Sequence, residues 1–378
     1  MGKTPLFCTF GVHKLDYKSI NFKPCDYAFI PFYVRGGDTF TDDSNAITTE
    51  LINAASTSTR TSFAISVPNE NRSIVMKDIT SSVGKAKIKE YWTSKKIYHY
   101  AVFDISVRLN EQSQEGMIIG GAFNLLKEFR RQQEDLEESN PIQNPNRGFL
   151  VASYYIWPEA DGTPPRVFTK QIENFPLDAV IILTHMTFDE FEAKLPCAIT
   201  AGAPYNPRKI TNIMGMQNIM TTMSQQVPWV MQTTLTISTS FCSRVYMGKS
   251  RRLRLDWECV DHMRRPNGTA AFCNDPLAIY GNIKLDRRNH IIASTTTDPM
   301  HMLMTTFETN ETIYLKYCKL RKEYANIPFG LSIFDLECED WGNACTKDNT
   351  AIPGTKRFTQ VTDTYVTVKS WTEGRFPC

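Results

Sequence analysis

The chain has 378 residues, of which 42% are hydrophobic and 22% are charged, so it can bury a large apolar core. Its 42 Lys and Arg residues nearly balance 40 Asp and Glu residues, and a formal net charge of +2 gives no reason to expect a nucleic-acid partner. No window of 18 apolar residues occurs, so no transmembrane helix is predicted. The dense basic run at residues 249–254 is interpreted as a solvated loop, with an anionic ligand as the alternative.

Eight short apolar runs, rich in Val, Ile, Phe and Tyr, are spaced along the whole chain. They cover residues 5–10, 27–33, 61–67, 98–105, 148–157, 179–186, 229–241 and 329–336. Continuous apolar runs favour strands buried on both faces, as in a parallel sheet. Helical stretches lie between several of them, at 43–55, 81–92 and 119–138. Strand and helix alternating eight times predict a (β/α)8 barrel, in which binding residues lie at the carboxyl ends of the strands.

Ten cysteines indicate an oxidising compartment. Their number is even, and none lies in a CxxC pair or in a Cys/His cluster with zinc-site spacing, so disulfides explain them better than free thiols. Three sequons, at Asn71, Asn267 and Asn310, point the same way. The first residues hold no apolar signal segment, as expected if a signal peptide has been removed. We therefore expect a secreted, glycosylated protein that needs no metal and no cofactor.

Two segments carry a family resemblance. The first, LFCTFG…KPCDYAFIPFY, places Cys8 at the end of the first strand and Cys25 just before the second. The second, GLSIFDLECEDWGNAC, leads from the last strand into an acidic cluster and then Gly and Cys. Both resemble family 18 glycoside hydrolases, the chitinases and chitinase-like lectins. The resemblance covers the strand order of nearly the whole chain and implies a disulfide between Cys8 and Cys25.

The resemblance also implies a domain organisation. The barrel occupies residues 1–345, with a small α/β insertion at 243–326 between the seventh and eighth strands. Residues 346–378 are polar and β-branched and end in Cys378. We expect this tail to pack on the barrel, held by a disulfide from Cys338 or Cys345.

Hydrolysis in family 18 requires a row of carboxylates on the fourth strand. A carboxylic acid at the end of a DGxDxDxE run protonates the glycosidic oxygen, while the acetamido group of the substrate attacks. Here the strand reads IYHYAVFDISVRLNE. In the preferred register Asp104 matches the last Asp, Val102 replaces the one before it, and Ser106 replaces the acid. In an alternative register Asp104 comes first and Glu111 stands at the acid position.

Other family signatures are altered as well. The third strand should end SxGG, but Ser66 is followed by VPN. The sixth strand should carry MxYD, but this chain has LTHM, with His185 at the Tyr position. The eighth strand should supply a Trp three residues before an Asp, and Ser332 precedes Asp335 by three. These losses predict a pseudoenzyme that keeps the scaffold and lacks the hydrolysis.

Candidate ligand-binding residues are the polar and aromatic side chains at strand ends: Asp104, Trp157, His185, Trp229, Asp335 and Glu337. Each also has a structural interpretation, such as a buried Asp bonded to Tyr100 or a Trp that only packs in the core. Glu339 and Asp340 are expected to be solvated.

The predicted function is that of a secreted chitinase-like protein that binds a carbohydrate, or a secreted or host protein, without hydrolysing it. Two alternatives stay open. An active chitinase-type or N-acetylglucosaminidase-type hydrolase is favoured by a carboxylate projecting inward at the fourth strand end. A protein-interaction or effector scaffold is favoured by a barrel whose mouth is plugged, and an open aromatic groove favours sugar binding.

Overall fold

The computed structural model describes most of the chain. The described residues are 4–11, 20–34, 37–42, 46–107, 109–140, 148–156, 166–186, 197–207, 214–225, 233–250, 253–262, 284–287, 292–298, 302–341 and 356–370. In these ranges we find no helix with the length and apolar character needed to span a membrane.

Eight parallel strands close into a barrel. They are β1 (Leu6–Thr9), β2 (Tyr27–Pro31), β3 (Ser62–Pro68), β4 (Ile97–Ile105), β5 (Leu150–Tyr155), β6 (Ala179–Leu183), β7 (Thr234–Ser240) and, last in the chain, β13 (Phe329–Phe334). Neighbours in the barrel follow chain order, and β13 closes it by pairing with β1, where Leu6 lies opposite Leu331. No strand extends more than one residue beyond its apolar run, so the predicted (β/α)8 barrel is confirmed.

Both faces of the barrel strands are buried, which explains their continuous apolar character. On β4, Ala101 and Phe103 belong to the core inside the barrel, whereas Tyr100 and Val102 pack in the core between barrel and helices. The inner core is aromatic and aliphatic: Phe7, Phe29, Ala64, Ala101, Phe103, Phe149, Val151, Tyr155, Ala179, Ile181, Leu183 and Phe334.

Eight helices are described. They are α1 (Ala46–Thr57), α2 (Arg72–Thr80), α3 (Ser82–Ser94), α4 (Glu115–Ser139), α5 (Arg166–Asn174), α6 (Met216–Ser224), α7 (Asn310–Glu323) and α8 (Lys356–Lys369). The predicted helical stretches correspond to α1, α3 and α4. Capping hydrogen bonds define where two of these helices begin. At the start of α3 the Ser81 hydroxyl accepts the N–H of Gly84 at 3.0 Å, and Thr309 with Thr312 forms a capping box ahead of α7.

A second sheet is inserted in the chain between β7 and β13. Its strands are β8 (Arg244–Gly248), β9 (Cys259–His262), β10 (Lys284–Asp286), β11 (Ile292–Asp298) and β12 (Leu303–Phe307), antiparallel in the order β10-β11-β12-β8-β9. A disulfide joins Cys197 to Cys259 on β9, and the Cys259 N–H donates to the Cys197 carbonyl at 3.0 Å. The segment after β6 therefore covers part of the edge of this sheet.

The disulfides place further constraints at the strand ends. Cys8 and Cys25 are bonded, which links β1 to the segment before β2. Cys338 is bonded to Cys242, so of the two expected partners of Cys378 the first, Cys338, is wrong. Cys345, the second, and Cys378 itself lie outside the described residues. Cys318 on α7 is disulfide-bonded as well. The Cys242–Cys338 bond holds the segments after β7 and β13 together next to the mouth, by which we mean the carboxyl ends of the barrel strands.

Helix α8 packs against α7 and is anchored by one buried cation. Arg357 is fully buried, and its Nη1 and Nη2 donate to the carbonyls of Glu308 at 2.9 Å and Phe241 at 3.1 Å. Its Nε lies 3.0 Å from Glu339 Oε2. The expectation that Glu339 and Asp340 are solvated is wrong, because both are buried. A buried carboxylate needs a partner, and Arg357 supplies it for Glu339.

Candidate functional site

A bulge at the end of β4 decides which of its side chains reach the mouth. The pairing register with β5 shifts between Val102 and Ile105. Asp104 lies inside this bulge with φ at 59°, in the left-handed region, and its N–H donates to the hydroxyl of Ser153 at 2.7 Å. Phe103, like Ala101, points into the barrel, and the extra residue of the bulge leaves Asp104 exposed at the mouth.

Strict alternation predicted a different inner face. It placed Val102, Asp104 and Ser106 together inside, but Val102 packs in the outer core, so that register is wrong. Ser106 follows the end of β4 and is half-buried. Glu111, the acid of the alternative register, lies beyond the strand in a 3₁₀ helix, Leu109–Gln114. Within β4, the carboxylate that reaches the mouth is that of Asp104.

Aromatic rings form the floor of the mouth. Phe103 packs against Phe29, with ring centroids 5.1 Å apart, and against Phe334 at 5.7 Å. Phe334 also lies 4.4 Å from the imidazole of His185. Phe103 and Phe334 are each 7% exposed. They therefore fill the end of the barrel interior and leave only a narrow part of each ring exposed to the space above.

Asp104 carries a perturbed carboxyl group. Its carboxylate accepts no hydrogen bond and forms no ion pair within the described chain. Although Asp104 reaches solvent, the protein atoms crowded around it desolvate the carboxylate, and the negative charges of Asp335 and Glu70 act in the same direction. Together they raise the pKa of Asp104 to about 6. This carboxyl group can take up a proton near neutral pH.

Two more carboxylates follow β13. Asp335 has φ at 57°, and its Oδ2 accepts a hydrogen bond from the Ser240 hydroxyl at 2.5 Å. Glu337 is buried, and its Oε2 accepts the N–H of Gly11 at 2.8 Å. A Cβ atom at residue 11 would lie 2.3 Å from Glu337 Oε1, so only glycine leaves room for this carboxylate. Asp335 and Glu337 thus occupy the mouth end of the barrel, as their position after a strand predicted.

His185 is held in one tautomer. The Ser238 hydroxyl oxygen accepts the N–H of Thr184 at 2.8 Å and that of His185 at 3.3 Å. Because both lone pairs are used, Ser238 must donate its proton to His185 Nδ1, which lies 2.7 Å away. Burial, and then the positive charge of Arg244, lower the pKa of His185 to about 3, so the ring is neutral and carries its proton on Nε2.

The fold, with this geometry at its mouth, resembles known proteins. No protein-family model and no curated protein sequence matches the chain. Among solved structures, human YKL-39, a pseudo-chitinase with retained chitooligosaccharide binding, superposes with a TM-score of 0.64 at 11% identity, covering 97% of this chain and 99% of that one. The chain has the fold of a chitinase. At this identity the likeness concerns the fold alone.

Two further structures extend this comparison. An immunomodulatory active chitinase from Trichuris suis superposes with a TM-score of 0.67 at 13% identity, covering 96% of this chain and 100% of that one. A chitinase-like agglutinin from Robinia pseudoacacia gives 0.61 at 11% identity, covering 96% and 99%. The chitinase fold therefore occurs both in a chitinase and in an agglutinin, and the predicted resemblance is confirmed for the fold.

The remaining predicted residues have separate positions. Trp157, Trp229 and Asn267 lie outside the described residues. Asn71 lies in a 3₁₀ helix, and its Nδ2 donates to the Tyr33 carbonyl at 2.6 Å. Asn310 is the first residue of α7 and accepts a hydrogen bond from Thr364 on α8 at 2.9 Å. Both sequons remain predicted glycosylation sites.

Sequence reasoning missed the groups that support the mouth. Ser238 and Ser240 belong to TLTISTS, in which hydroxyl residues alternate with Leu235 and Ile237. That alternation indicates a strand with one polar face and could have identified them. Phe103 had no such signal, since Tyr100 and Val102 on one face of β4 are as apolar as Ala101 and Phe103 on the other.

Proposed function

We propose that the chain is a secreted chitinase-like protein that binds a glycan at the barrel mouth and does not hydrolyse it. The observation that carries this proposal is the end of β4, where Phe103 takes the inward position and Asp104 is the one carboxylate of the strand. A family 18 hydrolase needs a row of carboxylates there, ending in the acid that protonates the glycosidic oxygen.

The neighbouring strands support the same conclusion. Ser332 stands where the family has a Trp; it is fully buried, with its hydroxyl 2.7 Å from that of Thr236. A small hydroxyl side chain cannot serve as a stacking platform beneath a sugar. His185 stands in place of the family's Tyr, and its ring packs on Phe334. The scaffold persists, but the groups that would bind and activate an acetamido substrate differ.

Glycan binding is supported by the character of the mouth and by the neighbours. The mouth combines the exposed parts of aromatic rings with hydrogen-bonding groups, which suits a sugar. YKL-39 is a pseudo-chitinase that retains chitooligosaccharide binding, and the protein from Robinia pseudoacacia is an agglutinin. Secretion is supported by the disulfides Cys8–Cys25, Cys197–Cys259 and Cys242–Cys338, which are typical of oxidising compartments.

Paired turnover and binding assays test the proposal. Chito-oligosaccharides and fluorogenic N-acetylglucosaminides should release no product above a buffer control, whereas an active chitinase run in parallel should cleave both. A glycan array should show binding that His185→Ala weakens. Glu173→Gln is the matched control, because this exposed residue lies in the last turn of α5, at the opposite end of the barrel.

An active hydrolase is the second candidate, and one observation favours it. The carboxyl group of Asp104, with a pKa of about 6, is suited to donate a proton near neutral pH. Turnover that Asp104→Asn or Glu111→Gln abolishes would establish the hydrolase and overturn the proposal. The filled barrel end favours a third candidate, a protein-interaction scaffold. The absence of glycan binding, together with a protein partner mapped to the outer loops, would establish it.

A further inference from the structure

The described charged groups around Asp104 are carboxylates. Glu70 lies just after β3 and Asp335 just after β13, and both act electrostatically on Asp104. Glu337 lies next to Asp335, since both would contact a Cβ atom placed on Gly11. The described cation in this region, Arg244, acts on His185 and donates to the Tyr246 hydroxyl at 3.0 Å. Among the described residues, the charges that act on Asp104 are therefore negative.

His185 supplies a second feature that points to a ligand. The residue is only 3% exposed, and its Nδ1 is bonded to Ser238. Its Nε2 forms no hydrogen bond within the described chain. This atom is not fully buried, so it reaches open space. Because His185 follows the end of β6, this space is the mouth. An N–H donor on a buried, fixed ring is left without a protein acceptor.

The donor and the carboxylates lie close together. Ser238 holds His185, and Ser240 holds Asp335; both serines are on the inner face of β7, two residues apart, which is about 7 Å. The Phe103–Phe334 ring contact connects the strands that carry Asp104 and Asp335. Phe334 also contacts the His185 ring, so it lies between the strand that carries Asp104 and the strand that carries His185.

We propose that the mouth selects a glycan unit that carries a protonated primary amine, that is, a hexosamine without its acetyl group. The ammonium group donates to the Asp104 carboxylate. The Nε2–H of His185 donates to a hydroxyl of the same unit. The inference rests on the proposed glycan binding at the mouth and adds the chemical class of the bound sugar.

An acetylated unit satisfies this arrangement less well. Acetylation removes the positive charge and leaves one amide N–H, so the Asp104 carboxylate gains no compensating charge. The ammonium group adds a charge–charge attraction to its hydrogen bond with the Asp104 carboxylate, which the neutral amide lacks, and this attraction is equivalent to about tenfold in affinity. Selectivity for the free amine is therefore the measurable consequence.

Calorimetric titration of the full chain with tetramers of glucosamine and of N-acetylglucosamine tests this inference. At pH 7 and low salt, the amine tetramer should bind at least about tenfold more tightly. Asp104→Asn should remove this preference, while Glu173→Gln should keep it. Because the pKa of Asp104 is about 6, the preference should also shrink as the pH falls from 7 to 5 and the carboxylate is protonated.

The outcomes separate this inference from the proposed function. Tighter or equal binding of the acetylated tetramer overturns the inference and leaves glycan binding intact. Loss of the preference in both Asp104→Asn and Glu173→Gln assigns it to overall charge and overturns the inference as well. Binding of neither tetramer overturns the proposed function along with it.

Discussion

Arg357 and Glu339 form an ion pair in which neither side chain reaches solvent, with Nε 3.0 Å from Oε2. Through the same guanidinium, α8 is also bonded to the carbonyls that follow β7 and β12. Arg357 further lies over the ring of Phe241, 4.3 Å from its centroid. One side chain thus ties the last helix to the ends of three strands.

Arg357→Met should strongly destabilise the protein, because it leaves the Glu339 carboxylate buried without its cation. The expected loss is about 3–5 kcal/mol in the free energy of unfolding, measured by urea denaturation. The double variant Arg357→Met/Glu339→Met should recover part of the lost stability, since no charge is then buried without its partner. Arg131→Met, which removes an exposed pair on α4, is the control and should cost less than about 1 kcal/mol. A double variant less stable than Arg357→Met alone would contradict this account.

Asp104→Asn should stabilise the protein at pH 8 and not at pH 4. The pKa of Asp104 is raised from 3.8 to about 6, so the folded state disfavours the ionised form, and this penalty is present above pH 6 and absent below 3.8. Because Asp104 reaches solvent, the expected gain at pH 8 is at most about 1 kcal/mol. Urea unfolding at both pH values measures it, with Asp363→Asn on the exposed side of α8 as the control. An equal effect at both pH values would argue against a strained carboxylate.

The buried histidines should make the fold sensitive to acid. His99 is stacked on Phe149 with ring centroids 3.7 Å apart, and its Nδ1 accepts the Phe149 N–H at 3.2 Å. Burial lowers its pKa from 6.5 to about 3, and His185 has the same shift. Between these values the unfolded chain binds protons that the folded chain does not, so stability falls as the pH falls, by up to about 1.4 kcal/mol per pH unit for each histidine.

The variant His99→Gln isolates this effect. Gln keeps a hydrogen-bond acceptor and does not titrate, so the dependence of unfolding free energy on pH between 6 and 4 should be shallower than in the wild type by about 1.4 kcal/mol per pH unit. The comparison is made on slopes, so a constant loss from altered packing does not affect it. Parallel slopes for the two proteins would show that His99 is protonated when folded.

Ser238→Ala should release the tautomer of His185. Nitrogen chemical shifts of the imidazole should show the proton on Nε2 in the wild type and a mixture in the variant, because the donor to Nδ1 is gone. Ser240→Ala, two residues along the same face of β7, should leave the His185 shifts unchanged. A wild-type proton on Nδ1 would refute the assignment.

Much of the fold could be predicted from the sequence because its strands are buried on both sides. That burial makes most of the strands continuous apolar runs, which are visible without knowing their neighbours; β7, with its alternating hydroxyl residues, is the exception. The candidate residues Asp104, His185, Asp335 and Glu337 could be predicted at the mouth for a related reason, since a barrel gathers the carboxyl ends of its strands at one edge.

What the sequence did not disclose depends on distant partners or on local backbone. Glu339 looked solvated because the buried cation that pairs with it, Arg357, lies on a helix in a segment interpreted only as a polar tail. Cys338 is bonded to Cys242, 96 positions away. The exposed position of Asp104 depends on its left-handed backbone, and an Asp in an apolar run does not by itself indicate a bulge.

The pairing of β1 with β13 imposes an order on biosynthesis. Until Leu331 leaves the ribosome, the edge of β1 that will face it has no partner, and at roughly 5–20 residues per second this interval lasts tens of seconds. Glu337 contacts Gly11 across 326 positions, so the mouth is also incomplete during translation. The nascent chain therefore exposes an apolar strand edge that can pair with another chain. Productive folding depends on keeping that edge covered until β13 has been synthesised.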